Sequence, residues 1–273
     1  EGEHPHKQQA DGGVFSHHRP VGHHSDQPAH HQRGQKGSDD RTKAPKHRQG
    51  NTGDHPVSQG VADGLSGAVG IDRSLISVVP NPVITDDVRT KARLAPDHRW
   101  FSESAPVILA IGRLQAQKNF ALLIEAFARI ANSTTARLLI FGEGPDRNDL
   151  QRLIDADGLS DRVELAGHTD NPYAAMGAAR VLVMSSKFEG LPTVLIEALY
   201  CGVPVISTDC PSGPAEILDG GRFGTLVPLD DAAALADAIT NELASERTSA
   251  PPESWEPYTE QVVVQLYRKV LGL

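Results

Sequence analysis

Beyond Val57 the apolar residues fall into two recurring rhythms. Short unbroken apolar runs at 107–111, 138–141 and 181–184 have the length of strands and lack the polar alternation of a half-exposed sheet, and the apolar-rich segments at 163–165 and 205–208 are read as strands beside them. Such runs belong to strands covered on both faces. Between them, apolar positions step by three and four. In 120–131 they fall at 120, 123, 124, 127 and 130, one face of a helix. The same reading predicts helices at 147–156 with Gly158 beyond the end, at 171–177 opened by Asn171-Pro172, at 194–200 stopping before Gly202, at 213–218 and at 232–243. A short helix is predicted at 57–69, ending near Gly70. A β-rich run follows at 75–80, a further short strand at 225–227, and an amphipathic helix at 255–271.

Strand, glycine-containing loop and helix, repeated every 20–25 residues, predict βαβ units. The expected class is α/β: a Rossmann-like parallel sheet with helices on both faces. Ligands of such sheets bind beyond the carboxyl ends of the strands, so the residues after each strand are the candidates.

Composition divides the chain. Residues 1–56 hold ten of the twelve histidines and almost no large apolar side chains beyond Val14, Phe15 and Val21. They are expected to be disordered, with adventitious metal affinity at the His17-His18, His23-His24 and His30-His31 pairs. A tract that is not native coding sequence is a further reading of the abrupt change near Val57. The rest carries 18 basic and 28 acidic residues, a balance of −10. An acidic body argues against nucleic acid as a partner. Two cysteines, Cys201 and Cys210, suggest no disulfide framework and a reducing compartment. No apolar run reaches the 18 residues that a membrane helix needs, and no signal core is evident. The expected location is cytoplasmic, with at most peripheral contact at the inner membrane face.

Three strand exits carry chemistry. After 107–111 come Gly112, Arg113 and Lys118, a guanidinium and an ammonium able to hold a diphosphate and take up charge as it leaves. A solvated surface pair remains the alternative. After 138–141 comes Gly142-Glu-Gly144-Pro, which allows close backbone approach to a ligand or simply makes a tight turn. After 181–184 comes Ser185-Ser-Lys-Phe-Glu189-Gly190-Leu191-Pro192-Thr193, whose backbone N–H groups and helix N-terminus suit a diphosphate or sugar hydroxyls. Glu197 follows eight residues after Glu189, about 80° away around an ideal helix, too far round for an acid/base dyad on one face. Two carboxylates can instead grip two parts of one long ligand through vicinal hydroxyls. Glu197 lies among Val194, Leu195, Ile196 and Leu199, where an idle carboxylate is costly.

Arg113 with Lys118, the Gly142 turn, Glu189-x7-Glu197 followed by Gly-Val-Pro-Val-Ile-Ser, and Gly213-Pro-Ala-Glu216 closely resemble retaining GT-B glycosyltransferases of family 4 over about residues 57–243. The resemblance implies one half of a GT-B fold. It implies that Arg113 and Lys118 contact the donor diphosphate and Glu189 the donor hexose, with Gly190, Leu191, Pro192 and Thr193 lining the same loop. Glu197 would bind the ribose and His168 would lie near the base. It implies no cofactor and no metal, a UDP-sugar ahead of a GDP-sugar, and a glycan or lipid-linked acceptor in polysaccharide assembly. Residues 57–80 resemble the remnant of an N-terminal domain and its linker, 81–248 a nucleotide-sugar-binding domain, and 252–273 a closing helix. The family's acceptor-binding domain is largely missing, so a truncated chain, weak or inactive alone, is expected.

A non-catalytic nucleotide-binding module, or a half-enzyme completed by a separate acceptor-domain polypeptide, is the rival reading. A decayed gene product is another. An epimerase or phosphorylase on the same fold is a third, although no pyridoxal-binding lysine context is recognisable.

Overall fold

The computed structural model describes residues 55–273. The paired histidines, and nearly all of the tract 1–56 expected to be disordered, lie outside the described residues. Ser58 opens the first helix, α1 (Gln59–Val69), by accepting a hydrogen bond from the Val61 amide, and Gly70 closes it in the left-handed conformation at φ 71°. Both signals are ordinary helix ends. The β-rich run expected at 75–80 forms no strand. A 3-10 turn occupies Arg73–Leu75, and beyond it the Val79 amide donates to the Pro56 carbonyl at 3.2 Å. An apolar run becomes a strand only where a neighbour completes its hydrogen-bond ladder, and no strand among the described residues does so there.

A short helix that no periodicity announces, α2 (Asp86–Lys91), follows, capped by Thr85 and carrying acids in its first turn and bases in its last. Then the alternation begins: β1 (Val107–Ile111), α3 (Phe120–Ile130), β2 (Arg137–Phe141), α4 (Arg147–Ala156), β3 (Val163–Gly167), α5 (Pro172–Ala178), β4 (Val181–Met184), α6 (Thr193–Tyr200), β5 (Val205–Thr208), α7 (Pro214–Ile217), β6 (Thr225–Val227) and α8 (Ala232–Ala244). The six strands form one parallel sheet in the order β3-β2-β1-β4-β5-β6.

The unbroken apolar runs split by pleat. Ile108, Ala110, Leu138, Ile140, Val181 and Val183 join one buried cluster with α3, α4 and α8. Val107, Leu109, Leu139, Leu182 and Met184 join a second, with α5, α6 and Trp100. Each strand therefore feeds two cores, which is why it shows no polar alternation. Burying each large aliphatic chain stabilises the domain by roughly 1.5–3 kcal/mol.

The helix expected at 255–271 starts later. Two 3-10 turns, Pro252–Ser254 and Glu256–Tyr258, precede α9 (Glu260–Leu271). Pro257 carries no N–H and holds the first turns short of an α-helix. The chain before α9 is tied down by Val83 and Ile84 amides donating to the Tyr258 carbonyl at 2.9 and 3.1 Å. Of the α9 side chains, Val263 is buried, whereas Val262, Val264, Val270 and Leu271 are at the surface.

β1 is flanked in the sheet by β2 on one side and β4 on the other, so the connections leaving β1 and β4 run to opposite sides. A crevice opens beyond the carboxyl ends of these two strands, and their exit loops border it.

Candidate functional site

The two exit loops are stitched together. The Ser185 hydroxyl donates to the Lys118 carbonyl at 2.9 Å. The Lys187 amide donates to the Gln117 carbonyl at 2.8 Å, and the Gln117 side-chain amide donates to the Phe188 carbonyl at 2.9 Å. Asn119 turns the chain into α3 with a positive φ of 50°. This frame brings Lys118 Nζ to 2.6 Å from Glu189 Oε1, although 71 residues separate them. Their side chains keep only 19% and 9% of their exposure, so the pair is largely desolvated.

The loop carrying Glu189 is gripped from behind. The Glu189 amide donates to the Pro211 carbonyl at 3.3 Å. Gly213, at φ 97°, lies so close that a Cβ there would stand 2.3 Å from Pro192 Cδ. From the front, the buried Ser58 hydroxyl donates to the Gly190 carbonyl at 2.9 Å, and the Gln59 amide donates to Glu216 Oε2 at 2.9 Å. Pro192 is buried, Leu191 is half-buried, and Thr193 is the first residue of α6. The positive end of α6, about half an elementary charge, therefore faces a loop held on two sides.

Glu197 is the fifth residue of α6 and is partly buried. Burial pushes its carboxyl up to about 7. Across from it on α5, the Tyr173 hydroxyl is pushed up to about 12, by burial first and then by the charges of Glu197, Asp87 and Cys201. Glu189 precedes α6 in a loop, so an ideal-helix angle does not describe how the two carboxylates stand to one another. Their settings differ: Glu189 has a cation against it, whereas Glu197 sits where its charged form is disfavoured.

A cavity of about 390 Å³ lies beside the β1 exit, lined by Gly112, Arg113, Phe141, Gly142, Glu143 and His168 among others. Arg113 is exposed and forms no ion pair within the described residues. His168 is also exposed, with Nε2 3.2 Å from Asp170 Oδ1. Gly142 has φ 146°, and a Cβ on it would fall 1.8 Å from the Gly112 carbonyl oxygen. A Cβ on Gly144 would fall 2.2 Å from the Leu114 carbonyl oxygen. Both glycines are thus demanded by the packing of the β1 exit against the β2 exit, which is the turn reading of this motif.

The structure thus gathers Lys118, Glu189 and Gly190 into one cluster, and Gly112, Arg113, Gly142 and His168 around one cavity. Gly144 sits behind, against Leu114, outside that lining. Three participants escaped the sequence reading. Ser58 is legible as a helix cap, but nothing in the chain foretells its bond to a carbonyl 132 residues away. Gln117 and Tyr173 carry no local signal, since their partners lie on other loops.

A parallel sheet with basic and acidic side chains at its switch point is the architecture of nucleotide-handling α/β proteins. The chain belongs to the glycosyl transferases group 1, whose family model matches residues 105–245. It is 38% identical over 140 residues to an N-acetylgalactosamine-N,N'-diacetylbacillosaminyl-diphospho-undecaprenol 4-alpha-N-acetylgalactosaminyltransferase of Campylobacter jejuni, covering 51% of this chain and 38% of that protein. It is 37% identical over 174 residues to the lipopolysaccharide core biosynthesis glycosyltransferase LpsE of Rhizobium meliloti, covering 62% of this chain and 50% of that protein. Among solved structures, the lipopolysaccharide outer core galactosyltransferase WaaB in its apo form superposes with a TM-score of 0.64 at 26% identity, covering 79% of this chain and 60% of that one. The chain spans half or less of these two curated relatives. Its sheet corresponds to one half of a GT-B fold. Among the described residues no helix is long and apolar enough to cross a membrane.

Proposed function

We propose that residues 81–248 bind a nucleoside diphosphate sugar and supply the donor half of a hexose transfer. The single observation that carries this is the convergence of Lys118 and Glu189 across the β1/β4 switch point, next to an open cavity bearing Arg113. Arg113 and Lys118 hold the diphosphate and take up the charge that develops on it as the glycosidic bond breaks, a role that needs no metal ion. Glu189 and the amides of Gly190, Leu191 and Thr193 receive the hexose hydroxyls. Glu197 takes the ribose, and the base rests near His168. A UDP-sugar stands ahead of a GDP-sugar as the donor in this reading.

The acceptor is a glycan or lipid-linked saccharide in polysaccharide or glycolipid assembly, as the names of the Campylobacter and Rhizobium relatives suggest. The Campylobacter relative makes an alpha linkage by name, and an alpha product from an alpha-linked donor is transfer with retention. Residues 57–80 act as linker and 252–273 as a closing segment. On this reading the donor site of residues 81–248 binds nucleotide by itself, through Arg113, Lys118 and Glu189.

Calorimetry of the folded chain with UDP and with GDP tests the donor site: heat with one of them is expected, and no heat with either refutes it. A half-enzyme needing a separate acceptor-domain polypeptide is the second reading, favoured by the apolar side chains that α9 leaves at the surface. Transfer that appears only on adding such a partner distinguishes it.

A further inference from the structure

Lys118 and Glu189 form an ion pair at the place that the donor-site reading assigns to the ligand. Lys118 and Glu189 lie 2.6 Å apart, nearly out of solvent, and both loops are braced by backbone hydrogen bonds that do not depend on a ligand. No other cation forms an ion pair with Glu189 within the described residues. A diphosphate that takes hold of Lys118 must therefore leave a desolvated carboxylate beside its own negative charge. That arrangement is costly for as long as nothing else satisfies Glu189.

Resting on the donor-site reading above, we propose that the Lys118–Glu189 pair selects the intact nucleotide sugar over the free nucleoside diphosphate. The two ligands differ in what they offer Glu189. A nucleotide sugar brings hydroxyl donors that satisfy the carboxylate when Lys118 turns to the phosphates. A nucleoside diphosphate brings none, and its free terminal phosphate carries about one more negative charge near pH 7. Glu189 thus stabilises the bound donor and repels the diphosphate left after the hexose departs. Once the hexose has gone, re-formation of the ion pair favours release of the nucleotide. No bond is made or broken in this step. It is an exchange of partners between one ammonium, one carboxylate and one ligand.

The neighbouring groups fit this role. Arg113, exposed and without an ion-pair partner within the described residues, holds phosphate with no partner to surrender. Lys187 is exposed on the same loop and forms no ion pair with Glu189. Lys118 is then the one cation of the site whose contact with phosphate is conditional on the sugar.

The test is calorimetric titration of the full chain and its Glu189→Gln variant with UDP, UDP-glucose, GDP and GDP-mannose, each preparation checked for folding by circular dichroism. Glu189→Ala serves if the amide variant does not fold, since it also removes the charge. For whichever base binds, the variant should hold the free diphosphate roughly tenfold more tightly, about 1.4 kcal/mol. The ratio of nucleotide-sugar to diphosphate affinity should fall by at least the same factor. Diphosphate affinity unchanged or weaker in the variant, with the unsubstituted chain binding normally, overturns the selection role and leaves the donor site standing. If the unsubstituted chain binds none of the four, the donor-site reading fails and this proposal fails with it.

Discussion

Replacing Glu197 with Gln should make the protein more stable above neutrality and should flatten its dependence on pH. The carboxyl titrates near 4.5 when unperturbed, and burial in α6 pushes it up to about 7. The folded state therefore keeps its proton across a window in which the unfolded chain has released it. Stability from this group is fully present below about pH 4.5, declines as pH rises towards 7, and is lost above. A tenfold difference in proton affinity between the folded and unfolded chain is worth about 1.4 kcal/mol. The full window sets a ceiling of about 3 kcal/mol, and partial solvent access reduces this to about 1–2 kcal/mol. For a domain of this size, that corresponds to a rise of roughly 2–8 °C in Tm at pH 8. The amide is nearly isosteric and has no proton to lose, so at pH 4.5 the two proteins should differ by less than about 0.5 kcal/mol. Thermal unfolding followed by circular dichroism from pH 4.5 to 8.5 supplies the comparison. Equal Tm values at pH 8, or a difference independent of pH, would show that the Glu197 charge is well solvated and would refute the burial argument.

Further outcomes rest on other parts of the site. Gly142→Ala should cost about 3 kcal/mol or more, because its Cβ would stand 1.8 Å from the Gly112 carbonyl and its φ is 146°; urea unfolding measures it, and a loss under about 1 kcal/mol would contradict the close approach of the two exits. Arg113→Ala should weaken nucleotide binding about tenfold while shifting Tm by less than about 1 °C, since the side chain is exposed and forms no ion pair within the described residues; an unchanged Kd places the phosphates elsewhere. Nucleotide affinity should rise with pH up to about 7 and then level off, as ribose hydroxyls favour the ionised form of a group titrating there. A flat profile in calorimetry between pH 5.5 and 8 would remove Glu197 from the ribose contact.

Much of this molecule was legible in the chain itself. Continuous apolar runs at 107–111 and 181–184 announced strands covered on two faces, because a buried parallel strand has no solvent side on which to place polar residues. Asn171-Pro172 and Gly158 marked helix ends through local stereochemistry alone. Positions after the strands could be singled out because a parallel sheet presents all its carboxyl ends on one edge. The run at 75–80 misled for the converse reason: strand formation needs a partner, and partners are not written locally. Pro257 was visible in the sequence, but the amphipathic spacing across 255–271 obscured its effect on the start of α9.

What the chain alone determined, then, is the menu of elements, the class of the sheet and the loops worth inspecting, all of which follow from short-range periodicity and backbone chemistry. The tertiary structure decided which loops meet. Strand order placed β1 beside β4 and so put Lys118 against Glu189, residues 71 apart in sequence. It closed Gly142 onto Gly112 and set Glu197 in a partly buried place that pushes its carboxyl up to about 7. Charge, burial and distance act through space, and space is assigned only when the strands have taken their places.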